Sequence, residues 1–341
     1  MTIYSVTSGV TSTGITLSGG DAEYVFFGGR AVSTTVHSGG NEYVSSGGAA
    51  NFTTVSDGGY EIVSSGGTAV STTVSNGGAE IVYSGGTAGF TMVSGGGAEI
   101  VSPGGITSFT TVSAGPEFVF SAGTAVSTTV RQFGSAVISS GGTASDTTVI
   151  GFGTVYVFAS GTTSNTAVLG STEYVEGGTA VSTTLTGVGN LSLGGVYVGD
   201  MYVQSGSAIG TTVNRSGSEI VDGGFAISTT VSSGGTEIVD GGSAISTTVN
   251  SGGTEIVDGG TAISTTVALG GSIDLVGLTY VSGGTASVTS GDVLSVTVGG
   301  NSYTQQPVGD YAGKSLQLAP GIGAAPRPRW RCHAIEMARV S

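Results

Sequence analysis

The sequence contains few of the residues on which most enzymes and helical proteins depend. Of its 341 residues, eight are Lys or Arg, two are His, six are Pro, and Cys and Trp occur once each. A single cysteine excludes an intramolecular disulfide and leaves the redox compartment open. The scarcity of Lys, Arg and Leu excludes a helical bundle.

The few reactive side chains form no catalytic or metal-binding pattern. His37 and His333 lie about 300 residues apart, so no histidine-based triad or zinc site can be argued. Cys332 beside His333 lacks the spacing of metal ligands. Neither a phosphate-binding glycine loop, a dinucleotide-binding glycine motif nor a calcium-roll nonapeptide is present. We therefore expect no enzyme activity, no cofactor and no metal.

Basic charge is also scarce. The formal net charge is −14, and residues 1–300 hold three basic side chains against 20 acidic ones. This balance predicts an acidic surface that repels nucleic acid and anionic membranes. No apolar run of 18 residues occurs, so no spanning helix is expected, and the first residues lack the features of a Sec signal peptide.

Glycine, threonine and valine are abundant, and they recur in a repeat. The chain has 65 glycines, many in Gly-Gly pairs. A Ser-Thr-Thr-Val box, first seen at residues 33–36, recurs thirteen times, mostly at steps of 18 or 19 residues. One step, between Leu185 and Val213, is 28 residues long and predicts an extra strand pair or a protruding loop. Self-similarity at this period is typical of a solenoid.

Each repeat contains two strand-like pieces, such as TAVSTTV and AEIV, entered through Gly-Gly. Pieces this short form no stable isolated sheet, but they can pair with their copies in neighbouring repeats. A coil of 19 residues at about 3.3 Å per residue closes a path of roughly 60 Å, which suits one rung of a parallel β-solenoid. The sequence therefore predicts an all-β parallel β-solenoid of about 13 rungs.

Comparison of the repeats predicts which side chains point inward. Thr34 and its twelve counterparts never vary, and the residue two places later is Val in all repeats except Leu185. Because alternate residues of a strand share a face, we expect both columns in the interior, with each Thr hydroxyl bonded to its copy. The position of Ala31 is Ala or Thr in every repeat, which is small enough for a tight corner, and the variable residue at Ser33 should face solvent.

Glutamate forms another column, as in Glu42-Tyr43-Val44. Two repeats carry Ala136 and Val155 instead, so the fold does not require the acid. Like charges one rung apart repel, and we expect the glutamates to point into solvent. Binding of divalent cations along the column is the alternative. A second acidic column is formed by Asp222, Asp240 and Asp258.

The repeat pattern divides the chain into four regions. We expect residues 1–17 to form an N-terminal cap or edge rung and residues 18–270 the solenoid. Residues 271–319 should form terminal rungs or a cap, and residues 320–341 a disordered or aberrant tail. The tail holds four of the eight basic residues.

Two other functions of β-solenoids deserve comparison. Polysaccharide-acting β-helix enzymes need clustered carboxylates with a basic residue on one face, which three basic residues in 300 disfavour. An ice-binding threonine face would be interrupted by Phe52, Phe90, Met92, Phe109 and Asp146.

The alternation STTVxxGGxEIVxxGGTA over about residues 18–270 resembles the repeats of autotransporter passenger domains of the AIDA and antigen 43 type. The resemblance implies a right-handed parallel β-helix displayed at the surface of a Gram-negative cell or outside it. It further implies adhesion, autoaggregation and biofilm formation, through self-association or binding of host glycans and proteins.

Proteins of this family can carry heptose on Ser or Thr, added by a heptosyltransferase. Carried onto this sequence, the resemblance implies eight candidate acceptors, namely Ser38, Ser46, Ser65, Ser75, Ser84, Ser140, Ser233 and Ser251. The alternative is that these serines only form turns.

A complete autotransporter also has an N-terminal signal and a C-terminal translocator, and neither is recognisable here. The chain is therefore interpreted as a fragment, a frameshifted product or a repeat protein exported by another route. A repeat spacer ahead of a missing translocator or Hint-like processing domain stays open as a further alternative.

Overall fold

The computed structural model describes residues 1–189, 196–268 and 270–276, and the short segments 285–288, 294–298, 301–305, 318–320 and 332–334. These residues form β-strands and connecting turns, without a helix among them. Two compact units are present. The first comprises Met1–Ala167 and Ser171–Glu173, and the second comprises Val168–Gly170 and Tyr174–Ser341.

The first unit repeats a rung of three short strands. The first strands are Ile3–Val6, Ala22–Val25, Asn41–Val44, Tyr60–Val63, Ala79–Val82, Ala98–Val101, Pro116–Val119, Ser135–Ile138 and Thr154–Phe158. The second strands are Thr11–Thr13, Arg30–Val32, Ala49–Asn51, Thr68–Val70, Thr87–Gly89, Ile106–Ser108, Thr124–Val126, Thr143–Ser145 and Thr162–Ser164. The third strands are Thr16–Leu17, Thr35–Val36, Thr54–Val55, Thr73–Val74, Met92–Val93, Thr111–Ser113, Thr129–Arg131 and Thr148–Ile150.

Strands Ala167–Leu169 and Thr172–Val181 contain residues of both units. The remaining strands of the second unit are Thr184–Thr186, Val188–Gly189, Val196–Tyr197, Gly199–Ile209, Thr212–Asn214, Gly217–Val221, Phe225–Ile227, Thr230–Val231, Thr236–Val239, Ser243–Ile245, Thr248–Val249, Thr254–Val257, Thr261–Ile263, Thr266–Val267, Ser272–Leu275, Thr285–Val288, Leu294–Val298, Asn301–Gln305, Leu318–Pro320 and Cys332–Ala334.

Corresponding strands of successive rungs pair in parallel and in register. In the first unit, Glu42 lies opposite Glu23 on one side and Glu61 on the other. The third strand occurs fourteen times among the described residues, once in each rung. The predicted parallel β-solenoid is therefore confirmed. It has one rung more than the thirteen expected, because residues 3–17 already form three strands.

Within the long step, Val188–Gly189 pairs antiparallel with Val196–Tyr197, so an extra strand pair is present. Antiparallel pairing also joins Thr285–Val288 to Leu294–Val298, and Leu294–Val298 to Asn301–Gln305. Ser272–Leu275 and Leu318–Pro320 each pair antiparallel with Cys332–Ala334. Most of the tail, and of the region predicted to form terminal rungs or a cap, lies outside the described residues.

The stretch predicted to be one strand, TAVSTTV, bends sharply in its middle. Ser71 has a φ of 64°, and all thirteen counterparts at this position, including Phe90 at 59°, have positive φ. This left-handed conformation separates the second strand from the third. The side chain at the corner points away from the interior, as predicted from its variability.

The two glycines of a Gly-Gly pair have different roles. Gly47 has a φ of 80°, which glycine adopts without steric cost. Gly48 is needed for close approach instead, because a Cβ there would lie 2.3 Å from the carbonyl oxygen of Val25 in the preceding rung.

The interior contains columns of small and β-branched residues. Ala31, Val36, Val44 and their counterparts in the other rungs are buried, except for the half-buried Ser12 of the first rung. The threonine column that begins at Thr34 is also buried, as predicted. Because most rungs contribute the same side chains at these positions, the interior repeats from rung to rung.

Candidate functional site

Seven of the eight candidate acceptor serines are exposed, and each directly precedes the first glycine of a turn. Ser38, Ser233 and Ser251 lie between the third strand and the next first strand. The other four lie between a first strand and a second strand, namely Ser46, Ser65, Ser84 and Ser140. Each of the seven hydroxyls therefore lies on a turn at the outer surface.

Ser75 occupies a different place. Asn76 takes the position before the glycine, with a φ of 46°, and Ser75 lies one residue earlier and is half-buried. The eight predicted acceptors are therefore not equivalent in the structure.

The turn serines stack in columns. The backbone N–H of Ser46 donates to the carbonyl oxygen of Ser65 at 2.9 Å, and that of Ser65 donates to Ser84 at 3.0 Å. In the second unit, the N–H of Ser233 donates to the carbonyl oxygen of Ser251 at 3.1 Å. This pairing fixes the backbone and leaves the hydroxyls at about the 4.8 Å spacing of paired strands.

The glutamate column lies inside the solenoid, and the prediction that it faces solvent is wrong. Ten glutamates are fully buried, namely Glu23, Glu42, Glu61, Glu80, Glu99, Glu117, Glu173, Glu219, Glu237 and Glu255. Glu42 and Val44 are two residues apart and share the inner face of the first strand. Since ten of the 22 acidic residues are internal, the outer surface is less acidic than the formal charge suggests.

Threonine hydroxyls cross the interior of a rung to meet the carboxyls. Thr34 Oγ1 donates to Glu23 Oε2 at 2.9 Å, and Thr72 Oγ1 donates to Glu61 Oε2 at 2.8 Å. In the second unit, Thr229 Oγ1 donates to Glu219 Oε2 at 2.8 Å. The predicted bond from each Thr to its copy is therefore replaced, in these rungs, by a bond to Glu.

Burial changes the acidity of these groups. Loss of solvation, reinforced by the neighbouring Glu23, raises the pKa of Glu42 to about 8. Burial raises the pKa of Glu80 and of Glu255 to about 7. Burial, and then the adjacent glutamates, raise the pKa values of Glu61 and Glu237 well above the ordinary value for glutamate.

Besides the first rung, which has Tyr4 at this position, two rungs of the first unit lack the acid. Ala136 and Val155 occupy the column, in register with Glu117 and with each other, and both are buried. Thr147 and Thr166 face these positions, and their hydroxyls have no hydrogen-bond partner. The threonine column thus continues where the carboxyl that it would bind is absent.

The opposite side of the first strand carries large apolar residues that point outward. In the first unit this outer aromatic face consists of Tyr24, Phe26, Tyr43, Tyr60, Ile62, Ile81, Tyr83, Ile100, Phe118, Phe120, Val137, Tyr156 and Phe158. The rings of Tyr24 and Tyr43 stack with centroids 4.8 Å apart, and Phe120 is 41% exposed. Charged side chains are absent from these positions.

The corresponding face of the second unit is different. Ile220, Ile238 and Ile256 point outward, and each is followed two residues later by an aspartate. Asp222 and Asp240 are exposed, and Asp258 is half-buried. This aspartate column was recognised in the sequence, whereas the outer aromatic face was missed. The period-two alternation Glu-x-Val contained the signal for that face, because an inward Val places the residue before it outward.

The described residues offer no cluster of three or more His, Cys, Asp or Glu arranged to hold a metal ion. Divalent cations along the glutamate column were predicted as an alternative for a solvated ladder, and the buried carboxyls do not form such a ladder. Within the described part of the chain, no helix has the length and apolar character needed to cross a membrane.

Comparison with known proteins identifies a matching family model and a related crystal structure. Residues 18–78 match the family model AIDA, described as "Adhesin of bacterial autotransporter system, probable stalk". A crystal structure of a hyper-glycosylated TibA fragment, with glycosylation catalysed by TibC, is 36% identical and has a TM-score of 0.71. The match covers 77% of this chain and 96% of that fragment. No curated protein matches the sequence.

Proposed function

The chain belongs to the AIDA family of bacterial autotransporter adhesins, and on this premise we propose that it is a glycosylated, non-enzymatic adhesin stalk. The family implies a location at the cell surface or outside the cell. We further propose which residues are modified, which kind of enzyme modifies them and which surface of the chain adheres.

The exposed turn serines are the proposed sites of glycosylation. The observation that carries this part is their shared position, one residue before the glycine and at the outer surface. An enzyme that transfers a sugar needs access to the hydroxyl, and seven candidates offer it. The hyper-glycosylated state of the related TibA fragment supports the same assignment. A heptosyltransferase is the proposed modifying partner.

Mass spectrometry of the chain isolated from its native host tests this assignment. We expect sugar on Ser233 and Ser251 and little or none on the half-buried Ser75. Replacing both exposed serines in the double variant S233A/S251A should lower the intact mass by the sugars they carried. Ser232→Ala is the matched control, because Ser232 is adjacent but half-buried and accepts a hydrogen bond from Asn250 at 3.2 Å. Unmodified serine at all eight positions would contradict the proposal.

Adhesion and self-association are proposed to use the outer aromatic face of the first unit. Burial of apolar area there would contribute about 25 cal/mol per Å², and the uncharged face brings no like-charge repulsion between copies. Contacts that are weak per rung would add over many rungs. The exposed tyrosines and phenylalanines favour apolar contact.

A cell-settling assay tests whether clumping depends on the outer aromatic face or on the rest of the surface. The double variant Y43S/F120S should slow the clumping of cells that display the chain by several-fold. The matched variant I220S/I238S, on the aspartate-flanked face of the second unit, should change it by less than twofold. Equal effects of the two variants would remove the proposed role of the outer aromatic face. Circular dichroism should first show that both variants keep the wild-type strand content.

The absence of enzyme activity is also a proposal. It is supported by the burial of the ten column glutamates, which cannot reach a polysaccharide from the interior. Incubation of the purified chain with bacterial and host polysaccharides should release no saccharide. Cleavage that is abolished by replacing one exposed carboxylate, such as Asp222 or Asp240, would favour the enzyme alternative.

A further inference from the structure

Six carboxyls form a continuous column inside the first unit, one in each of six successive rungs. The column is Glu23, Glu42, Glu61, Glu80, Glu99 and Glu117. Each glutamate lies in register with the next, from the pairing of Glu23 with Glu42 to that of Glu99 with Glu117. None of the six is accessible to solvent.

The groups that face this column carry no positive charge. The third strand contributes threonine hydroxyls, and the second strand contributes Ala31 and its counterparts, with Thr107 in one rung. Tyr4 occupies the column position in the first rung. Among the described residues of the first unit, the basic side chains Arg30 and Arg131 are both exposed. The titratable groups facing the column are therefore Tyr4 and the glutamates themselves.

Hydrogen bonds do not satisfy the carboxyls. Oε1 of Glu42, Glu61 and Glu80 has no partner, although Oε2 of each accepts a bond from a threonine. Both carboxyl oxygens of Glu99 lack a partner. A fully ionised column would place unpaired negative charges about 4.8 Å apart in a dry interior, which is strongly unfavourable. Such groups bind a counter-charge or become neutral.

We propose that this interior column is a proton-binding site. The unfolded chain exposes carboxylates, and the carboxylates of Glu42, Glu61, Glu80, Glu99 and Glu117 each take one proton from solvent on entering the column and become neutral carboxylic acids. Folding of the first unit is then coupled to proton uptake, and its stability falls as the pH rises. The raised pKa values of Glu42, Glu61 and Glu80, caused chiefly by burial, support this direction.

The direction of the pH dependence of stability follows from the linkage between proton binding and folding. A carboxyl whose pKa is higher in the folded chain stabilises the fold fully below its unfolded pKa of 4.5, and this contribution is lost as the pH rises through its folded value. The pH window therefore runs from about 4.5 to 7 or 8 for Glu80 and Glu42. Each proton held only by the folded chain changes the unfolding equilibrium constant tenfold per pH unit.

Glu61→Gln is the informative substitution, because glutamine has the shape and hydrogen-bonding groups of a protonated glutamate. The column accepts neutral residues at Ala136 and Val155, so this variant should fold. Asp57→Asn is the matched control, since it removes the same charge from an exposed turn near the same rung.

Urea unfolding of the full chain at pH 5, 6, 7 and 8 provides the test. We expect the wild-type midpoint to fall as the pH rises and the dependence to be weaker in Glu61→Gln by about one proton. Asp57→Asn should run parallel to the wild type. A wild-type midpoint that rises or stays constant with pH would overturn the proposal. The same conclusion would follow if Glu61→Gln left the pH dependence unchanged.

A second measurement needs no variant. Unfolding the wild-type chain at pH 7 in weak buffer with an indicator dye should release more than one proton per chain. Release of none would overturn the proposal. If EDTA or added Ca²⁺ shifted the midpoint while no protons were released, the column would bind cations in place of protons, and the proposal would again fail. Neither outcome bears on glycosylation or adhesion.

Discussion

Two kinds of rung lie next to each other in the first unit. The rungs around Glu61 and Glu80 carry a buried acid, whereas those around Ala136 and Val155 carry an apolar residue at the same position. The three strands and their parallel register are otherwise the same. The comparison indicates that the backbone path depends on the glycines, the corner residue and the apolar columns, and not on the carboxyl.

The hydrogen bonds of the threonine hydroxyls also differ between rungs. Thr72 and Thr91 donate to the carboxyls of their rungs at 2.8 and 2.7 Å, whereas Thr147 and Thr166, opposite apolar residues, have unpartnered hydroxyls, as does Thr110 in the Glu99 rung. A buried polar group without a partner costs free energy. The buried carboxyl is therefore not required for a rung to fold.

The largest expected effect concerns a feature that both kinds of rung share. A Cβ on Gly59, in the Glu61 rung, would lie 2.6 Å from the Val36 carbonyl oxygen, and one on Gly153, in the Val155 rung, 2.5 Å from that of Val130. Gly59→Ala and Gly153→Ala should each lower the free energy of unfolding by about 3 kcal/mol or more, because backbone must move. Urea unfolding checks this.

The adjacent glycine is the control for that prediction. Gly58 has a φ of +80°, and a Cβ there would meet nothing within 4 Å. Gly58→Ala should therefore lower the free energy of unfolding by about 1 kcal/mol, because alanine is less stable than glycine in the left-handed conformation. If Gly58→Ala and Gly59→Ala lowered the free energy of unfolding by similar amounts, close approach between rungs would not be the reason that glycine is needed at position 59.

The next effect distinguishes the two kinds of rung. Thr72→Val removes the donor to Glu61 and should cost about 2 kcal/mol, because a buried carboxyl oxygen loses its partner. Thr147→Val removes a hydroxyl that has no partner and should be neutral or slightly stabilising. Thermal and urea unfolding of both variants at pH 6 measure the contrast. Equal destabilisation would mean that threonine acts through packing alone in both rungs.

The smallest expected effect comes from converting one kind of rung into the other. Ala136→Glu extends the column beside Glu117 and places a carboxyl opposite the unpartnered Thr147. Because burial raises the pKa of such a group, the variant should be more stable, relative to the wild type, at pH 5 than at pH 8, by about 1 kcal/mol. A loss of stability that is independent of pH would indicate only overpacking.

The sequence was sufficient to predict the solenoid and half of its interior. Thr34 and Val36 are invariant or nearly so among the repeats, and invariance at alternate positions identified them as internal. Variation at Ser33 identified an outward position, although not the left-handed corner that it forms. The extra first rung lacks the Ser-Thr-Thr-Val box and was not counted.

The error on the glutamates has a physical origin. Like charges one rung apart repel each other, and this argument outweighed the alternation that linked Glu42 to Val44. The structure resolves the conflict through Thr53, whose hydroxyl donates to Glu42 at 3.0 Å across the rung. That contact joins residues 11 apart and depends on the bend after the second strand, which local pattern does not reveal.

Carboxyl labelling tests the central claim, that the acid is inside and the aromatic residues are outside. The folded chain is treated with a water-soluble carbodiimide and glycine ethyl ester, and the labelled residues are mapped by mass spectrometry. The account predicts rapid labelling of the exposed Asp57, Asp222 and Asp240 and protection of Glu61 and Glu237 until the chain is unfolded. Labelling of the glutamates at the rate of the aspartates in the folded chain would contradict it.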